Sequence, residues 1–162
     1  HSHDALLYVI STINRIRVEG CQLITVVGAG GDRDRTKRPR MALISAEGSS
    51  KVILTSENPR TEDPLEIIRE IEAGVVGLPI RRIKAADLDG ASGKTGRPVY
   101  LVVPDRKEAI GRAIRAAGPD DIVLVAGKGH EDYQIIGTER TPFDDRLVAR
   151  EVLSGRRAGE DR

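Results

Sequence analysis

Side chains that could bind a charged small molecule follow three separate apolar runs of this sequence. They are Arg33, Asn58 with Arg60, and Glu131. An arginine guanidinium makes two parallel, charge-assisted hydrogen bonds to a carboxylate, and a glutamate carboxylate accepts hydrogen bonds from an ammonium group. If the three runs are neighbouring strands, these groups meet in one pocket. Such a pocket suits a zwitterionic amino acid with an additional charged end.

The residues Asn58, Pro59 and Arg60 lie on a predicted strand-to-helix loop. Pro59 restricts Asn58 to extended backbone and ends the strand, and Asp63 followed by Pro64 is typical of a helix N-cap and first helical residue. Ligands of open α/β sheets bind outside the carboxyl ends of the strands. Taken alone, the loop is more typical of a surface turn whose arginine caps a neighbouring turn.

Three other segments resemble phosphate-binding or metal-binding motifs only in part. Gly28–Arg33 begins like a dinucleotide fingerprint but ends in arginine instead of glycine, so it predicts either an anion-binding turn or a purely structural one. Gly90–Thr95 ends like a P-loop but lacks the first glycine, because that position is Leu88. The glycines of 127–131 let the backbone approach a ligand, yet no second histidine or carboxylate has metal-ligand spacing. We predict no metal site and no Ser–His–Asp set.

The composition predicts one soluble globular domain. The chain has 162 residues, 31% charged and 39% hydrophobic, with a net charge of +1. Residues 33–40 hold five cations, but two aspartates and the near-neutral total favour a local anion pocket or a solvated helix entry over a nucleic-acid surface. The only cysteine, Cys21, excludes an internal disulfide and is compatible with a reducing cytoplasm. No apolar stretch approaches membrane-spanning length. We therefore expect neither a nucleic-acid nor a membrane partner.

Apolar periodicity predicts alternating helices and strands. We expect helices that begin at Asp4, near Pro39 and at Pro64, one that follows Asp105, and a last one over Pro142–Leu153 with Asp144 as cap. Buried strands are predicted over 22–27, 51–55, 99–103 and 122–126, a short edge strand over 133–136, and a mobile polar loop over 87–95. This order predicts an α/β, three-layer, Rossmann-like domain with a mostly parallel sheet.

Several of these stretches together resemble one known family. They are GAGGDRDRTKRP within 27–39, TSENPRTEDP within 53–64, VAGKGHEDYQ within 123–134, FDDR at 143–146 and the first six residues. In this order they resemble the carboxyl-terminal domain of the Mur ligases, most closely the type that adds meso-diaminopimelate. The resemblance implies the bacterial cytoplasm, peptidoglycan synthesis, and thus cell-wall biogenesis, cell shape and division.

The implied activity is that of an ATP-dependent amide ligase. In such enzymes ATP, with Mg²⁺, phosphorylates the D-Glu carboxylate of UDP-MurNAc-L-Ala-D-Glu, and the amine of meso-diaminopimelate attacks the acyl phosphate. By this resemblance residues 1–162 are one amino-acid-binding domain, inactive alone, while the central ATPase and the N-terminal UDP-sugar domains lie outside this sequence. The alternatives are a ligase that adds lysine or extends another γ-glutamyl chain, and a non-catalytic nucleotide- or anion-binding module.

The resemblance also implies roles for particular residues. It assigns no catalytic residue to this sequence, places Asp32 and Lys37 on the side of the nucleotide, and assigns the amino-acid contacts to Arg33, Glu57, Asn58, Pro59, Arg60, Gly127 and Glu131. Arg60 would bind the distal carboxylate of diaminopimelate, which lysine lacks. Two positions depart from the family pattern: Glu57 replaces the usual aspartate, and residues 1–4 replace His-Thr-Pro-Asp.

Overall fold

A five-stranded parallel sheet is the centre of the computed structural model, which describes residues 3–88 and 97–160. Its strands are β1 (Leu23–Val27), β2 (Lys51–Leu54), β3 (Arg81–Arg82), β4 (Val99–Val102) and β5 (Ile122–Val125). The order across the sheet is β3-β4-β2-β1-β5, with every pair parallel. The carboxyl ends of β2, β1 and β5 are therefore adjacent on one edge of the sheet.

Helices cover both faces of the sheet. The elements outside the sheet are helices α1 (His3–Ile16), α2 (Arg38–Gly48), α3 (Pro64–Glu72), α4 (Arg106–Ala116) and α5 (Asp145–Glu160), and the antiparallel hairpin of β6 (Tyr133–Ile136) with β7 (Glu139–Pro142). Leu23 and Val27 of β1 pack with α1, α2 and α3. Ile24 and Val26 pack with α4 and α5 on the opposite face. Successive strand side chains point to opposite faces, so β1 is buried on both.

The sequence-based helix starts are confirmed where a carboxylate caps the helix. Asp63 accepts a hydrogen bond from the Leu65 amide (2.9 Å), and Pro64 begins α3. Asp105 accepts from the Glu108 amide (2.8 Å) at the start of α4, and Asp144 accepts from the Arg146 amide at the start of α5. These bonds satisfy amides that the helices leave unpaired. The α/β, mostly parallel prediction is confirmed.

Several predicted boundaries and burials were wrong. Helix α1 already includes His3, so Asp4 lies in its first turn instead of capping it. The last helix begins at Asp145, because Pro142 belongs to β7 and pairs with Tyr133. Strand β5 is only half-buried, since it lies at the sheet edge with β1 as its single neighbour.

Other elements follow no strong sequence signal. Strand β3 has two exposed arginines, and β7 reads Glu-Arg-Thr-Pro, so neither shows apolar alternation. The segment 133–136 is a strand, as predicted, but it belongs to the separate hairpin. Most of the predicted mobile loop over 87–95 lies outside the described residues. Across 3–88 and 97–160, no helix is both long and apolar enough to span a membrane.

Candidate functional site

A cleft of about 610 Å³ opens where β1, β2 and β5 end. The residues that line it come from the three loops after these strands, from the start of α2 and from β6: Gly28, Ala29, Gly30, Arg33, Asp34, Lys37, Arg38, Met41, Glu57, Arg60, His130, Glu131 and Tyr133. Because β1 lies between β2 and β5, the three groups of polar residues predicted from the sequence converge here.

Asn58 links the three loops from below the cleft. It is fully buried. Its Nδ2 donates to Glu131 Oε2 (3.2 Å), its Oδ1 accepts from the Ile135 amide (2.8 Å), and its carbonyl accepts from the Gly31 amide (2.8 Å). A buried side chain with both amide groups bonded fixes its neighbours strongly. The loop is therefore buried at Asn58, contrary to the surface-turn interpretation, although Arg60 does donate to a carbonyl of the neighbouring loop.

Arg60 is held in an uncommon backbone conformation that directs it into the cleft. Its φ of 53° is in the left-handed region, which costs free energy for a residue with a side chain. Hydrogen bonds to the hairpin hold it there: its amide donates to the Ile135 carbonyl (3.0 Å) and its carbonyl accepts from the Gly137 amide (2.6 Å). The guanidinium Nη1 donates to the Gly31 carbonyl (2.9 Å). Its position over Gly30 leaves part of the guanidinium facing the cleft.

Two glutamates, Glu57 and Glu131, line the cleft. Burial raises the pKa of Glu57 to about 7; Arg106 opposes this rise, and the nearby Glu131 carboxylate adds to it. Within the described residues, no hydrogen bond reaches the Glu57 carboxylate. Glu131 is held by Asn58 and by the Tyr133 hydroxyl, a bond that keeps the pKa of Tyr133 above its usual value. A cation is the natural partner for two such carboxylates.

Gly127 makes room for Glu57. Its φ of 113° is in the range that favours glycine, and a Cβ there would lie 2.6 Å from Glu57 Oε2. The predicted contact residue Gly127 therefore lies against the Glu57 carboxylate, although it does not line the cleft itself.

Basic side chains line the same cleft. Arg33, Lys37 and His130 are exposed and line it. The neighbouring Arg38 is fully buried and is neutralised by Glu62 and Glu70, at 2.6 and 2.7 Å. Within the basic segment 33–40, Arg35 and Arg38 are engaged by carboxylates, Arg33 and Lys37 line the cleft, and Arg40 is exposed outside it. Arg33 and Lys37 fit a local anion pocket, and the exposed Arg40 fits a solvated helix entry.

The remaining predicted residues lie away from the cavity. Pro59 is buried, and its carbonyl accepts from the Glu62 amide (3.1 Å). The Asp32 carboxylate accepts from the Thr61 hydroxyl (2.8 Å) and amide (3.2 Å), so it is engaged within the loops. Of the two residues predicted on the nucleotide side, only Lys37 lines the cleft. No cluster of histidine, cysteine or carboxylate side chains suited to a metal ion occurs in residues 3–88 and 97–160.

Four residues that the sequence did not single out for these roles support the site: Arg38, Arg106, Lys128 and Tyr133. Lys128 is fully buried, and its Nζ donates to the carbonyls of Glu131, Tyr133 and Phe143. Each of the three cations lies in or beside a motif that was noticed. The carboxylate partners of Arg38 and Arg106 are 24 to 39 residues away, and the Lys128 amine bonds to three backbone carbonyls. No local pattern carries that information.

The fold and the cleft together define a domain of the Mur ligases, and the chain belongs to this family. The family model described as "Mur ligase, glutamate ligase domain" matches residues 1–129.

The three similar proteins described next carry the name UDP-N-acetylmuramoyl-L-alanyl-D-glutamate–2,6-diaminopimelate ligase. The protein of this name from Geobacter sulfurreducens is 44% identical over 160 residues, which are 99% of this chain and 30% of the relative. That from Lactiplantibacillus plantarum is 46% identical over 154 residues, 95% of this chain and 27% of the relative. A solved structure of a ligase of this name matches with a TM-score of 0.77 and 39% identity, covering 97% of this chain and 28% of its own. The chain thus spans about 30% of the length of these relatives.

Proposed function

We propose that residues 1–162 are the amino-acid-binding domain of an ATP-dependent amide ligase that adds meso-diaminopimelate to UDP-MurNAc-L-Ala-D-Glu in peptidoglycan synthesis. The name shared by the relatives supports this reaction. This chain spans about 30% of their length, which is consistent with additional domains in the complete enzyme. In this proposal the complete enzyme works in the bacterial cytoplasm, and this domain alone is inactive.

The observation that carries the proposal is the charge pattern of one cleft. Arg33, Arg60, Glu57 and Glu131 all line it, so one cavity offers two guanidinium groups and two carboxylates. Diaminopimelate carries two carboxylates and two amines, one of which must remain free to react. In our proposal the arginines bind carboxylates through charge-assisted hydrogen bonds, and the glutamates bind an ammonium.

Other residues support the two arginines and the two glutamates of the cleft. Asn58 holds Glu131 by its Nδ2, and Pro59 fixes the loop between Asn58 and Arg60. Gly127 leaves space for the Glu57 carboxylate. In our proposal its carbonyl accepts a hydrogen bond from the ammonium of the ligand. Such preorganisation lowers the entropy cost of binding.

ATP and the nucleotide-linked dipeptide are expected to bind mainly to the other domains. Lys37 is exposed in the cleft and fits an anion such as a phosphate, whereas Asp32 is engaged by Thr61 and does not. No described residues form a carboxylate cluster for Mg²⁺. This domain would therefore orient the amine, and the phosphoryl transfer to the D-Glu carboxylate would depend on the remainder of the enzyme.

The test compares diaminopimelate with lysine in the complete ligase. Arg60→Ala should raise KM for diaminopimelate about ten- to a hundredfold, because it removes one charged hydrogen-bonding partner. KM for lysine, which has no distal carboxylate, should change little, so selectivity is lost. Arg69→Ala is the matched control, since Arg69 is exposed on α3 and pairs with Glu66 of the same helix.

Other outcomes would favour other functions. Unchanged selectivity in Arg60→Ala would contradict the assignment of the distal carboxylate. A wild-type ligase that prefers lysine or a γ-glutamyl substrate would identify a different member of the family. Binding of oligonucleotides with a steep salt dependence would instead indicate a nucleic-acid-binding module.

A further inference from the structure

Arg106 is a buried cation behind the cleft. Only 2% of it is exposed, and it begins α4. Its Nε and Nη2 donate to the two carboxylate oxygens of Asp145, each at 2.8 Å, and Asp145 begins α5. This is the bidentate arrangement that fixes an arginine in one orientation.

The same guanidinium connects two strand ends. Its Nη1 donates to the Ser56 carbonyl and its Nη2 donates to the Ala126 carbonyl, both at 3.1 Å. Ser56 immediately precedes Glu57, and Ala126 immediately precedes Gly127. One side chain therefore sets the separation between the loop that carries Arg60 and the loop that carries Glu131, although neither Arg106 nor Asp145 lines the cleft.

Arg106 also acts on the charge of the cleft. It favours the ionised form of Glu57, against burial and against the neighbouring Glu131. The other charged groups near Glu57 are Arg60, on its own loop, and Lys128, after β5. Burial lowers the pKa of Lys128, and Arg106 lowers it further.

We infer that the Arg106–Asp145 pair is a positioning unit for amino-acid binding. It holds the Glu57 and Gly127 loops at the separation that the ligand requires, and it keeps a positive charge behind the Glu57 carboxylate. This inference rests on the proposed function of the cleft. Replacing a buried ion pair by apolar residues often costs little stability. Stability alone therefore does not explain why the Arg106 guanidinium makes four hydrogen bonds, two to Asp145 and two to the loop carbonyls. These bonds point to a positional role.

The test separates positioning from folding by two variants. The double variant Arg106→Met with Asp145→Leu removes both charges and leaves neither buried alone. In the complete ligase we expect its KM for diaminopimelate to rise about tenfold or more. In the 162-residue chain, ¹³C NMR of the Glu57 carboxyl should show titration at higher pH than in the wild type, because the opposing cation is gone.

Arg106→Lys keeps the charge but cannot bond to all four acceptors. It should raise KM similarly and leave the Glu57 titration close to that of the wild type.

The control and the contradictory outcomes are well separated. Arg112→Met removes a half-buried arginine of α4 that pairs with Glu108, and it should alter neither readout. A folded double variant with wild-type KM and wild-type Glu57 titration would overturn the inference. If the double variant does not fold, a wild-type KM in Arg106→Lys would overturn it. If the ligase does not use diaminopimelate at all, the proposed function fails, and the Glu57 titration still tests whether Arg106 controls this carboxylate.

Discussion

The side-chain amide of Asn58 donates to the carboxylate of Glu131 across 3.2 Å, and this bond joins the loop after β2 to the loop after β5. The two residues are 73 positions apart in the sequence. The Asn58 Oδ1 accepts from Ile135 of the hairpin in addition. Asn58 is thus one of the buried side chains that hold the candidate site together without lining the cleft.

Replacing Asn58 should separate these loops. Asn58→Ala leaves the Ile135 amide and the Glu131 carboxylate without this partner, so we expect a loss of about 2–3 kcal/mol in the free energy of unfolding. Asn58→Asp keeps an acceptor for Ile135 but places a carboxylate against Glu131. The free energy of unfolding of Asn58→Asp, compared with that of Asn58→Ala, should therefore be lower at neutral pH than at acid pH.

Urea unfolding at pH 7 and pH 4 measures both effects. Asn14→Ala is the control, because Asn14 is exposed on α1 and also makes two side-chain hydrogen bonds. An Asn58→Ala variant as stable as the Asn14→Ala variant would contradict the role of Asn58.

Gly31 is a position where any side chain should disrupt the site. A Cβ there would lie 1.8 Å from the Pro59 carbonyl oxygen, which is backbone and cannot rotate away. We expect Gly31→Ala to cost about 3 kcal/mol or more and to weaken ligand binding, since the loops after β1 and β2 must separate.

A second glycine provides the comparison for Gly31. Gly155 lies in α5 with open space around it, so Gly155→Ala should stabilise the protein by up to about 1 kcal/mol. Thermal unfolding of both variants measures the contrast. Equal melting temperatures would show that the close approach of Gly31 to Pro59 is unimportant.

Much of the fold could be predicted because its signals are local. The strands read as apolar runs, and Asp63, Asp105 and Asp144 mark helix starts that hydrogen bonds confirm. The convergence of Arg33, Arg60 and Glu131 also followed from strand ends, once parallel strands were assumed. The order β2-β1-β5, which makes these ends adjacent, required the structure.

The polar supports of the site could not be predicted in the same way. Arg106 is 39 residues from Asp145 in sequence and 50 from Ser56, and a charged residue at a helix start is normally exposed. The β6–β7 hairpin was only half recognised, because β7 has no apolar alternation. When the hydrogen-bond partners of a buried charge are distant in the sequence, no local periodicity indicates them.

Arg38 should contribute stability that acid removes. Its guanidinium donates to Glu62, Glu70 and the Gly30 carbonyl from a fully buried position. The bonds from Arg38, and then the Asp32 amide, lower the pKa of Glu62 from 4.5 to about 2. A carboxyl whose pKa is lower in the folded state stabilises the protein above its unfolded pKa, and this contribution is lost as the pH falls from about 4.5 to 2.

The Arg38→Ala variant lacks that contribution at every pH. We expect it to be about 3 kcal/mol less stable than the wild type at pH 7, and the difference should shrink towards pH 2. Arg40→Ala, an exposed residue of the same helix, is the control. A difference that stays constant from pH 7 to pH 2 in urea unfolding would exclude the Arg38–Glu62 bond as its origin.

Glu57 should give stability the opposite pH dependence. Its pKa rises from 4.5 in the unfolded chain to about 7 in the fold, chiefly through burial. Between these values the folded state keeps a proton that the unfolded state has lost, so stability falls as the pH rises through this window. The full loss above pH 7 is about 3 kcal/mol. Glu57→Gln removes this titration and should be more stable than the wild type at pH 8, with little difference at pH 4.

Urea unfolding across that range tests whether stability falls with rising pH, with a substitution of the exposed carboxylate of α2, Glu47→Gln, as control.

The proposed ligand adds a second readout. An ammonium beside Glu57 favours its ionised form, so binding of diaminopimelate near pH 6 should release a proton to the buffer. Calorimetry in two buffers of different ionisation enthalpy detects this proton, and Glu57→Gln should abolish its release. Proton release that persists in Glu57→Gln would assign it to another group, and the cleft would then bind the ammonium of the ligand without Glu57.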